Sequence, residues 1–175
     1  LRMYMPLPEK PRVREQMKGN AVANPLYDGL FGRHAGKTTP FLHLLDGSTI
    51  THQHFLSRAA QIANVMLQLE LKPGDRVAAQ IEKSPEALAL YAACAQAGLV
   101  FLPLNTAYTV DELAYFIDNS GASLIVCEGR NQAALAPLAG RLGAIIETLN
   151  ADGSGSLNAK MQKMPILFPT VARSE

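Results

Sequence analysis

Between residues 72 and 149, four short apolar runs alternate with three helix-like segments. The runs span residues 76–82, 99–104, 123–129 and 144–149. They are continuously apolar instead of alternating with polar side chains, which is typical of strands in a sheet with both faces buried. Helices that connect parallel strands form right-handed crossovers and cover the two faces. The pattern therefore predicts an α/β fold, a three-layer sandwich around a mainly parallel sheet.

The intervening helices carry their own boundary signals. Ser84 suits the N-cap of the first helix, and Gly98 follows that helix as a C-cap. Thr109 and Glu112 have the T-x-x-E spacing of a capping box at the start of the second helix. Pro137 is expected to interrupt the third helix, because proline lacks the N–H that a helix interior requires.

A smaller antiparallel element precedes this region. The Asp-Gly pair at residues 46–47 is a strong hairpin signal between an apolar strand at residues 39–45 and a short return strand at residues 48–50. A long helix with apolar side chains at helical spacing follows at residues 52–71. Asn24 is suited to cap a shorter helix ahead of the hairpin. The sequence thus predicts a small N-terminal β-hairpin beside the parallel sheet.

Composition divides the chain into three parts. Residues 1–22 combine basic side chains with several prolines, and we interpret them as a basic extended tail. Residues 23–150 hold the α/β pattern. Residues 151–175 contain a Gly/Ser turn, a short helix and a proline-punctuated tail, for which the pattern offers no partner. We expect this last part to be a linker.

Charge, hydropathy and cysteine placement exclude several functional classes. The formal net charge is +1, so the chain as a whole has no field that favours nucleic acid. No apolar run approaches the ~18 residues that span a bilayer, so no membrane span is expected. Cys94 and Cys127 lie within apolar runs and form no C-x-x-C pair, which indicates buried thiols and not a zinc site. Free thiols favour a reducing compartment, and we expect a cytoplasmic protein.

Two glycine-containing stretches suggest nucleotide loops but lack the spacing. A Walker A loop has four residues between its glycines, whereas Gly32 and Gly36 have three between them and follow a helix. The DGSGS stretch at residues 152–156 lacks the third glycine of a dinucleotide loop, because position 158 is Asn. The first stretch is better interpreted as a helix end followed by a turn, and the second as a solvated turn.

The sequence predicts no metal ligand and no catalytic residue. His52 and His54 are two positions apart on a helix and point to different faces, unlike the pairs that bind metals. Lys83 follows a strand at the edge where open parallel sheets bind ligands, a position suited to an anion contact. A solvated lysine beside a helix start is the favoured interpretation.

The stretch PLNTAYT at residues 103–109 follows the next strand, at the same edge of the sheet. We predict that Asn105, Thr106 and Tyr108 lie near a substrate without taking part in catalysis. The competing interpretation is a purely structural loop. In that case Asn105 and Thr106 satisfy backbone groups, and Tyr108 packs with its hydroxyl outward.

The order and spacing of these connections are similar to those of adenylate-forming acyl-CoA synthetases. The resemblance is carried by GDRVAAQIEKSPE, the helix end AQAG, VFLPLNTAYT and DELAYFI, and extends from near Asn24 to the C-terminus. PLNTAYT favours the malonyl-CoA synthetase branch. His52 departs from the pattern, because relatives usually carry an aromatic residue after the capping threonine.

This resemblance implies the incomplete N-terminal part of the adenylate-forming synthetase fold, in an enzyme of fatty acid metabolism. The complete enzyme would use ATP and Mg²⁺ to convert a small-molecule carboxylic acid into an acyl-adenylate, and CoA to form the thioester. The phosphate loop and catalytic lysine of relatives have no match here, so residues 151–175 would lead to a missing phosphate-loop region. We therefore expect an inactive fragment that binds none of these ligands tightly.

Two other interpretations compete with this one. A free-standing flavodoxin-like binding or regulatory module would share the layered fold. A nucleotide-binding oxidoreductase is disfavoured, because the G-x-G-x-x-G loop is absent from the sequence. The coding sequence beyond residue 175 would separate the first two, since a phosphate loop there supports the ligase.

Overall fold

The computed structural model describes residues 24–173, so the predicted basic tail at residues 1–22 lies outside the described residues. The first elements are a short helix, a hairpin and a long helix: α1 (Pro25–Leu30), β1 (Pro40–His43), β2 (Thr49–Thr51) and α2 (His52–Gln68). β1 and β2 pair antiparallel, which confirms the predicted hairpin. Gly47 at its turn has φ of +83°, a left-handed conformation that glycine adopts without strain.

Side-chain caps explain where α1 and α2 begin. Oδ1 of Asn24 accepts a hydrogen bond from the backbone N–H of Tyr27 at 3.1 Å. Oγ1 of Thr51 accepts one from the N–H of His54 at 3.2 Å. Each cap satisfies a backbone donor that the first helical turn leaves without a partner. A separate 3₁₀ turn at Gly32–His34 follows α1 and leads to the hairpin.

A four-stranded parallel sheet forms the centre of the protein. Its strands are β3 (Arg76–Gln80), β4 (Val100–Pro103), β5 (Leu124–Cys127) and β6 (Ile145–Thr148). The spatial order is β4-β3-β5-β6. The chain passes from β3 to β4 on one side and then returns to β5 on the other, so the winding reverses between β3 and β5. This arrangement confirms the predicted α/β fold with a parallel sheet and a small hairpin.

Helices cover both faces of the sheet. α2 and α3 (Pro85–Ala97) pack on one face, whereas α4 (Val110–Ser120) and α5 (Gln132–Leu142) pack on the other. Successive side chains of β3 alternate between the layers. Val77 joins the core of the first face and Ala78 the core of the second, as the two-residue period of a strand requires.

Central and edge strands differ in burial. Every residue of β5 is buried, as are the last four residues of β3. Both ends of β4 are exposed, and Val100 retains 39% of its accessible surface. β4 lies at the edge and pairs only with β3 in the described sheet, and its Phe101 and Leu102 still pack against the cores of the two faces.

α5 continues past Pro137, so the predicted interruption is wrong. Pro137 lies on the exposed side of the helix, while Leu135 and Leu138 are buried against the sheet. Packing of this apolar side stabilises the helix in spite of the missing backbone donor.

The segment after α6 (Ser156–Met161) packs against α2 and α3. Residues 162–173 are hereafter the strap. Four side-chain amides donate to carbonyl oxygens of the strap: Gln61 to Met164 (3.1 Å), Asn64 to Pro165 (3.0 Å) and Leu167 (2.9 Å), Gln96 to Phe168 (3.0 Å), and Asn24 to Val171 (3.0 Å). The expectation that this tail has no partner is therefore wrong. A pattern of apolar residues does not reveal polar side chains that donate hydrogen bonds to the backbone of a distant segment.

Candidate functional site

A cavity of about 580 Å³ opens at the carboxyl ends of β3 and β4, on the face covered by α3. Its apolar walls come from both strands and from α3: Ala79, Ile81, Ala87, Leu88, Tyr91, Phe101, Pro103 and Leu104. The rings of Tyr91 and Phe101 meet edge to face, with centroids 5.5 Å apart. The volume falls within the range of small-molecule sites, and this edge is where open parallel sheets bind ligands.

Polar groups lie at the rim of the cavity, which includes Glu82, Lys83, Ser84, Asn105 and Thr106. The hydroxyl of Ser84 is occupied as the N-cap of α3. The side chain of Lys83 is exposed and forms no ion pair with the residues of the described range. Its position suits a contact with an anion that enters the cavity, and its exposure equally suits a solvated side chain.

The loop that follows β4 is held by a single buried side chain, Gln80 at the end of β3. Nε2 of Gln80 lies 3.2 Å from the carbonyl oxygen of Asn105 and 3.1 Å from that of Tyr108. The carbonyl oxygen of Thr106 is a third acceptor at 3.4 Å. Only 3% of the Gln80 surface is exposed, so its amide is shielded from competing water.

Gln80 also reaches across the point where the winding reverses. Its Oε1 accepts a hydrogen bond from Nδ2 of Asn131 at 3.4 Å. Asn131 ends the 3₁₀ turn Gly129–Asn131 that follows β5. One side chain therefore ties the loops after β4 and β5 to the end of β3.

The three residues predicted to lie near a substrate separate in the structure. Asn105 and Thr106 line the cavity rim. Oδ1 of Asn105 accepts a hydrogen bond from the N–H of Ala107 at 2.9 Å, as the structural interpretation of this loop expects. Tyr108 does not line the cavity: its ring stacks on Phe116 of α4, with centroids 5.0 Å apart.

The two buried thiols are poor nucleophiles. Burial raises the pKa of Cys94 well above its ordinary value. Burial and the neighbouring charge of Glu128 raise the pKa of Cys127 to about 11. Both groups are therefore neutral thiols at neutral pH, and both are free.

The described residues line the cavity with apolar and polar side chains and contain no metal-binding cluster. Within residues 24–173, no group of three or more His, Cys, Asp or Glu side chains is placed to hold a metal ion. The DGSGS turn does not form a phosphate cradle, since Asp152 accepts hydrogen bonds from Ser154 within the turn. In the same range, every helix is too short or too polar to cross a membrane. We derive no chemical step through Mg²⁺ from these residues.

Gln80 is the residue that the sequence prediction missed. The sequence analysis interprets the whole run at residues 76–82 as an apolar strand and assigns no role to the glutamine within it. The sequence signal for this role is a polar, uncharged residue inside an apolar run, near the carboxyl end of the predicted strand. Such a residue requires buried hydrogen-bond partners, and the following loop provides them.

A family model for AMP-binding enzymes matches residues 31–166, which include the cavity, Gln80 and the loop after β4. The chain belongs to the AMP-binding enzyme family. This membership confirms the resemblance to adenylate-forming synthetases that the sequence indicated. The order β4-β3-β5-β6 is also the flavodoxin-like order, so the fold alone would not have separated the two interpretations.

Solved structures and curated proteins give more specific relatives of this AMP-binding enzyme. The crystal structure of apo MatB from Rhodopseudomonas palustris matches 86% of this chain and 30% of that chain, with 40% identity and a TM-score of 0.83. A feruloyl-CoA synthase from an Amycolatopsis species is 38% identical over 97 residues, 55% of this chain and 20% of the relative. Long-chain fatty acid transport protein 1 of Rattus norvegicus is 30% identical over 135 residues, 75% of this chain and 21% of the relative.

The chain thus spans only 20% to 30% of the length of these relatives. The described residues match the N-terminal part of the adenylate-forming fold. ATP-bound MatB from the same organism has been solved and matches this chain with the same identity and TM-score, 40% and 0.83.

Proposed function

We propose that this chain forms the N-terminal part of an ATP-dependent acid–CoA ligase of the malonyl-CoA synthetase type. The observation that carries the proposal is the match to MatB, which covers 86% of the chain at 40% identity. The match to a feruloyl-CoA synthase supports the broader class of acid–CoA ligases. The choice of malonate rests on MatB and on the PLNTAYT loop.

In such an enzyme ATP activates a carboxylate as an acyl-adenylate with loss of pyrophosphate, and CoA takes the acyl group as a thioester with loss of AMP. Residues 24–173 supply no metal cluster for this chemistry. Because the chain covers only 30% of MatB, we propose that ATP, Mg²⁺ and CoA act in the complete enzyme and that none binds tightly to this chain alone.

The chain's own residues shape and support one side of the site. Asn105 and Thr106 stand at the cavity rim, where their polar groups can contact a bound ligand. Gln80 fixes their backbone, and Tyr108 braces the loop by stacking on Phe116. Because this side of the cavity is already held in one conformation, less free energy is lost in ordering it when a ligand binds. These residues position groups and take no part in bond making.

The two cysteines bear on the cellular location of the protein. Cys94 and Cys127 are both free and buried, as a protein of a reducing compartment allows. We propose a cytoplasmic location on this ground. Its test is the oxidation state of the protein in fractionated cells.

Segment exchange tests the proposed class and the proposed branch together. Residues 24–173 would replace the aligned segment of MatB in one chimera and that of the Amycolatopsis feruloyl-CoA synthase in another. Each chimera is assayed by ATP–pyrophosphate exchange with the acid of its host, malonate or ferulate. We expect the MatB chimera to retain at least about a tenth of its parent's kcat/KM and the feruloyl chimera to lose far more.

Reciprocal exchange provides the matched control. The feruloyl-CoA synthase segment placed in MatB should give a folded but weakly active protein, as judged by circular dichroism and thermal melting. Activity of our segment only in the ferulate host would overturn the malonate assignment. Two folded chimeras without exchange activity would overturn the ligase assignment.

The 175-residue chain alone should show no ATP–pyrophosphate exchange with malonate. This expectation rests on the chain's coverage of only 30% of MatB and on the lack of a match to the phosphate loop and catalytic lysine of relatives. Robust exchange by this polypeptide would show that it contains the reaction centre and would contradict the supporting role.

A further inference from the structure

A cluster of basic side chains lies where the 3₁₀ turn meets the start of α2. Hereafter the basic cluster comprises Arg33, His34, Lys37 and His52. Nε of Arg33 lies 3.1 Å from Nε2 of His34, and Nζ of Lys37 lies 3.0 Å from Nδ1 of the same ring. The imidazoles of His34 and His52 stack with centroids 4.7 Å apart and planes 13° from parallel.

The backbone holds the basic cluster in place. The N–H of Lys37 donates to the carbonyl oxygen of His34 at 3.1 Å, and its own carbonyl accepts from the N–H of Gln53 at 2.9 Å. The N–H of His52 donates to the carbonyl oxygen of Thr39 at 3.2 Å. The ring of His52 also packs on Phe41, with centroids 4.7 Å apart. The cationic side chains therefore project from an ordered frame.

This cluster has more donors than acceptors. A neutral imidazole has one N–H and one free lone pair, whereas guanidinium and ammonium groups only donate. His34 can accept from Arg33 or from Lys37, so the other contact sets a donor against a donor. Protonation of His34 removes its remaining lone pair and adds a third positive charge. An acceptor with negative charge would satisfy these donors and offset their repulsion.

No carboxylate supplies that acceptor within the described part of the chain. The ion pairs found among residues 24–173 involve Arg58, Arg130, Arg141 and Lys160, and none involves Arg33 or Lys37. The first turn of α2 also contains no acidic residue. The positive end of that helix dipole therefore adds to the local potential.

We propose that the basic cluster is a binding site for a phosphate-bearing anion. Phosphate carries several acceptor oxygens and up to two negative charges, so the guanidinium of Arg33 and the ammonium of Lys37 both attract it. His34, whose two ring nitrogens lie against Arg33 and Lys37, holds these two cations beside one another. The lysine belongs to the Gly36-Lys37 pair that fails the Walker A spacing, so the contacts come from side chains and not from a glycine-rich loop.

Electrostatics at His34 agree with this assignment. Desolvation, followed by the charges of Lys37, His52 and Arg33, holds the pKa of His34 below its ordinary value. A bound anion would oppose these positive charges and raise the pKa of His34. The titration of His34 therefore reports occupancy of the site.

The test uses the 175-residue chain and pyrophosphate as the probe. The pKa of His34 is measured from its ring Cε1–H resonance, with and without pyrophosphate, and affinity is measured by calorimetry. We expect saturable binding and a raised pKa of His34. Arg33→Gln and Lys37→Gln should each weaken binding by about tenfold or more, because each removes a charged partner of the anion. Lys37→Arg should restore most of the affinity.

Lys72→Gln is the matched control. Lys72 is an exposed lysine beyond the far end of α2, whose 17 residues span about 25 Å. Its loss should leave binding unchanged, and circular dichroism verifies the fold of each variant. An equal shift of His34 in sodium chloride of the same ionic strength would overturn the proposal, since charge screening would then explain it.

Two further arms identify the source of the phosphate. Vesicles of phosphatidylcholine with phosphatidic acid are compared with phosphatidylcholine alone by co-sedimentation. Binding of pyrophosphate without vesicle binding supports a free phosphate ligand, and binding of both supports a lipid headgroup as well. If neither binds, and Glu9→Gln with Glu15→Gln shifts the His34 resonance, a carboxylate of this chain is the acceptor and the proposal is wrong.

Discussion

Nε2 of Gln80 donates to the carbonyl oxygen of Tyr108 across 3.1 Å. The same nitrogen lies 3.2 Å from the carbonyl oxygen of Asn105, and Oε1 accepts from Asn131 at 3.4 Å. A buried amide at the end of β3 thus joins the loops that follow both neighbouring strands. The geometry of the cavity rim depends on this polar residue in an otherwise apolar strand.

Replacement of Gln80 by leucine should loosen the loop after β4. Leucine has a similar size but removes the donor, so the carbonyl oxygens of Asn105 and Tyr108 lose their buried partner. We expect the free energy of unfolding, measured by urea titration, to fall by about 1–3 kcal/mol. Amide hydrogen exchange of Ala107 should accelerate at the same time.

Gln68→Leu is the control for this prediction. Gln68 is the exposed last residue of α2, and its replacement should change stability by less than about 0.5 kcal/mol. Equal losses in the two variants would mean that the hydrogen bonds of Gln80 do not hold the loop.

The elements that the sequence predicts well are those with local determinants. The Asp-Gly turn at residues 46–47, the cap at Ser84 and the capping box of Thr109 and Glu112 each lie within a few residues, and the structure confirms all three. Strand order depends on distant pairs instead. Ala79 is flanked by Pro103 on one side and Val126 on the other, and no local pattern specifies that choice.

The same difference between local signals and distant contacts applies to the candidate site. The rule that ligands bind at carboxyl ends of parallel strands placed Asn105 and Thr106 at the correct edge. Proximity of Tyr108 to a substrate stays a prediction, and its ring stacks on Phe116 of α4 instead of lining the cavity. His52 takes the aromatic role expected at its position, since its ring packs between His34 and Phe41. The tertiary structure decides which aromatic ring each of these side chains packs against, so the local sequence does not predict it.

Asn64→Asp should detach the middle of the strap. The two hydrogens on Nδ2 of Asn64 serve the carbonyl oxygens of Ala60, Pro165 and Leu167 at 2.9–3.0 Å. A carboxylate has the same shape but places negative charge against those oxygens. We expect limited proteolysis after Leu167, whose surface is already exposed, to accelerate about tenfold or more, the equivalent of about 1.4 kcal/mol.

Asn119→Asp serves as the comparison, because Asn119 is an exposed asparagine in α4, away from the strap. The wild-type cleavage rate at the strap is expected for this variant. If Asn64→Asp also kept that rate, packing alone would hold the strap.

The capping box should contribute to the acid side of the stability profile. Hydrogen bonds from the backbone N–H of Thr109, and then from its hydroxyl, hold the pKa of Glu112 below its ordinary value of 4.5. The contribution of Glu112 is therefore complete above that value and is lost as the pH falls through the folded-state pKa. Urea midpoints measured between about pH 5 and about pH 3 should show this loss.

Glu112→Gln isolates the effect, since glutamine can still accept from the N–H of Thr109 but does not titrate. In this variant the decline in stability toward low pH should be shallower, and stability at neutral pH should be lower than in the wild type, because the charged acceptor of the capping box is gone. An identical slope would assign the acid sensitivity to other carboxylates. Asp46 and Asp152 are the first to examine, because hydrogen bonds from Ser48 and Ser154 also lower their pKa values.

Gly155 should be the least replaceable glycine of the turn before α6. Its φ of +130° lies in a region that only glycine adopts readily, and an added Cβ would approach within 2.7 Å of the carbonyl carbon of Thr148 and closer to its oxygen. This close approach lets Ser156 and Thr148 exchange hydrogen bonds of 2.8 and 2.9 Å. We expect Gly155→Ala to cost about 2–4 kcal/mol in chemical denaturation. Gly143→Ala, at φ of +65° with open space around its Cβ, should cost only about 1–2 kcal/mol. Equal costs would mean that backbone conformation alone, and not the contact with Thr148, selects glycine at position 155.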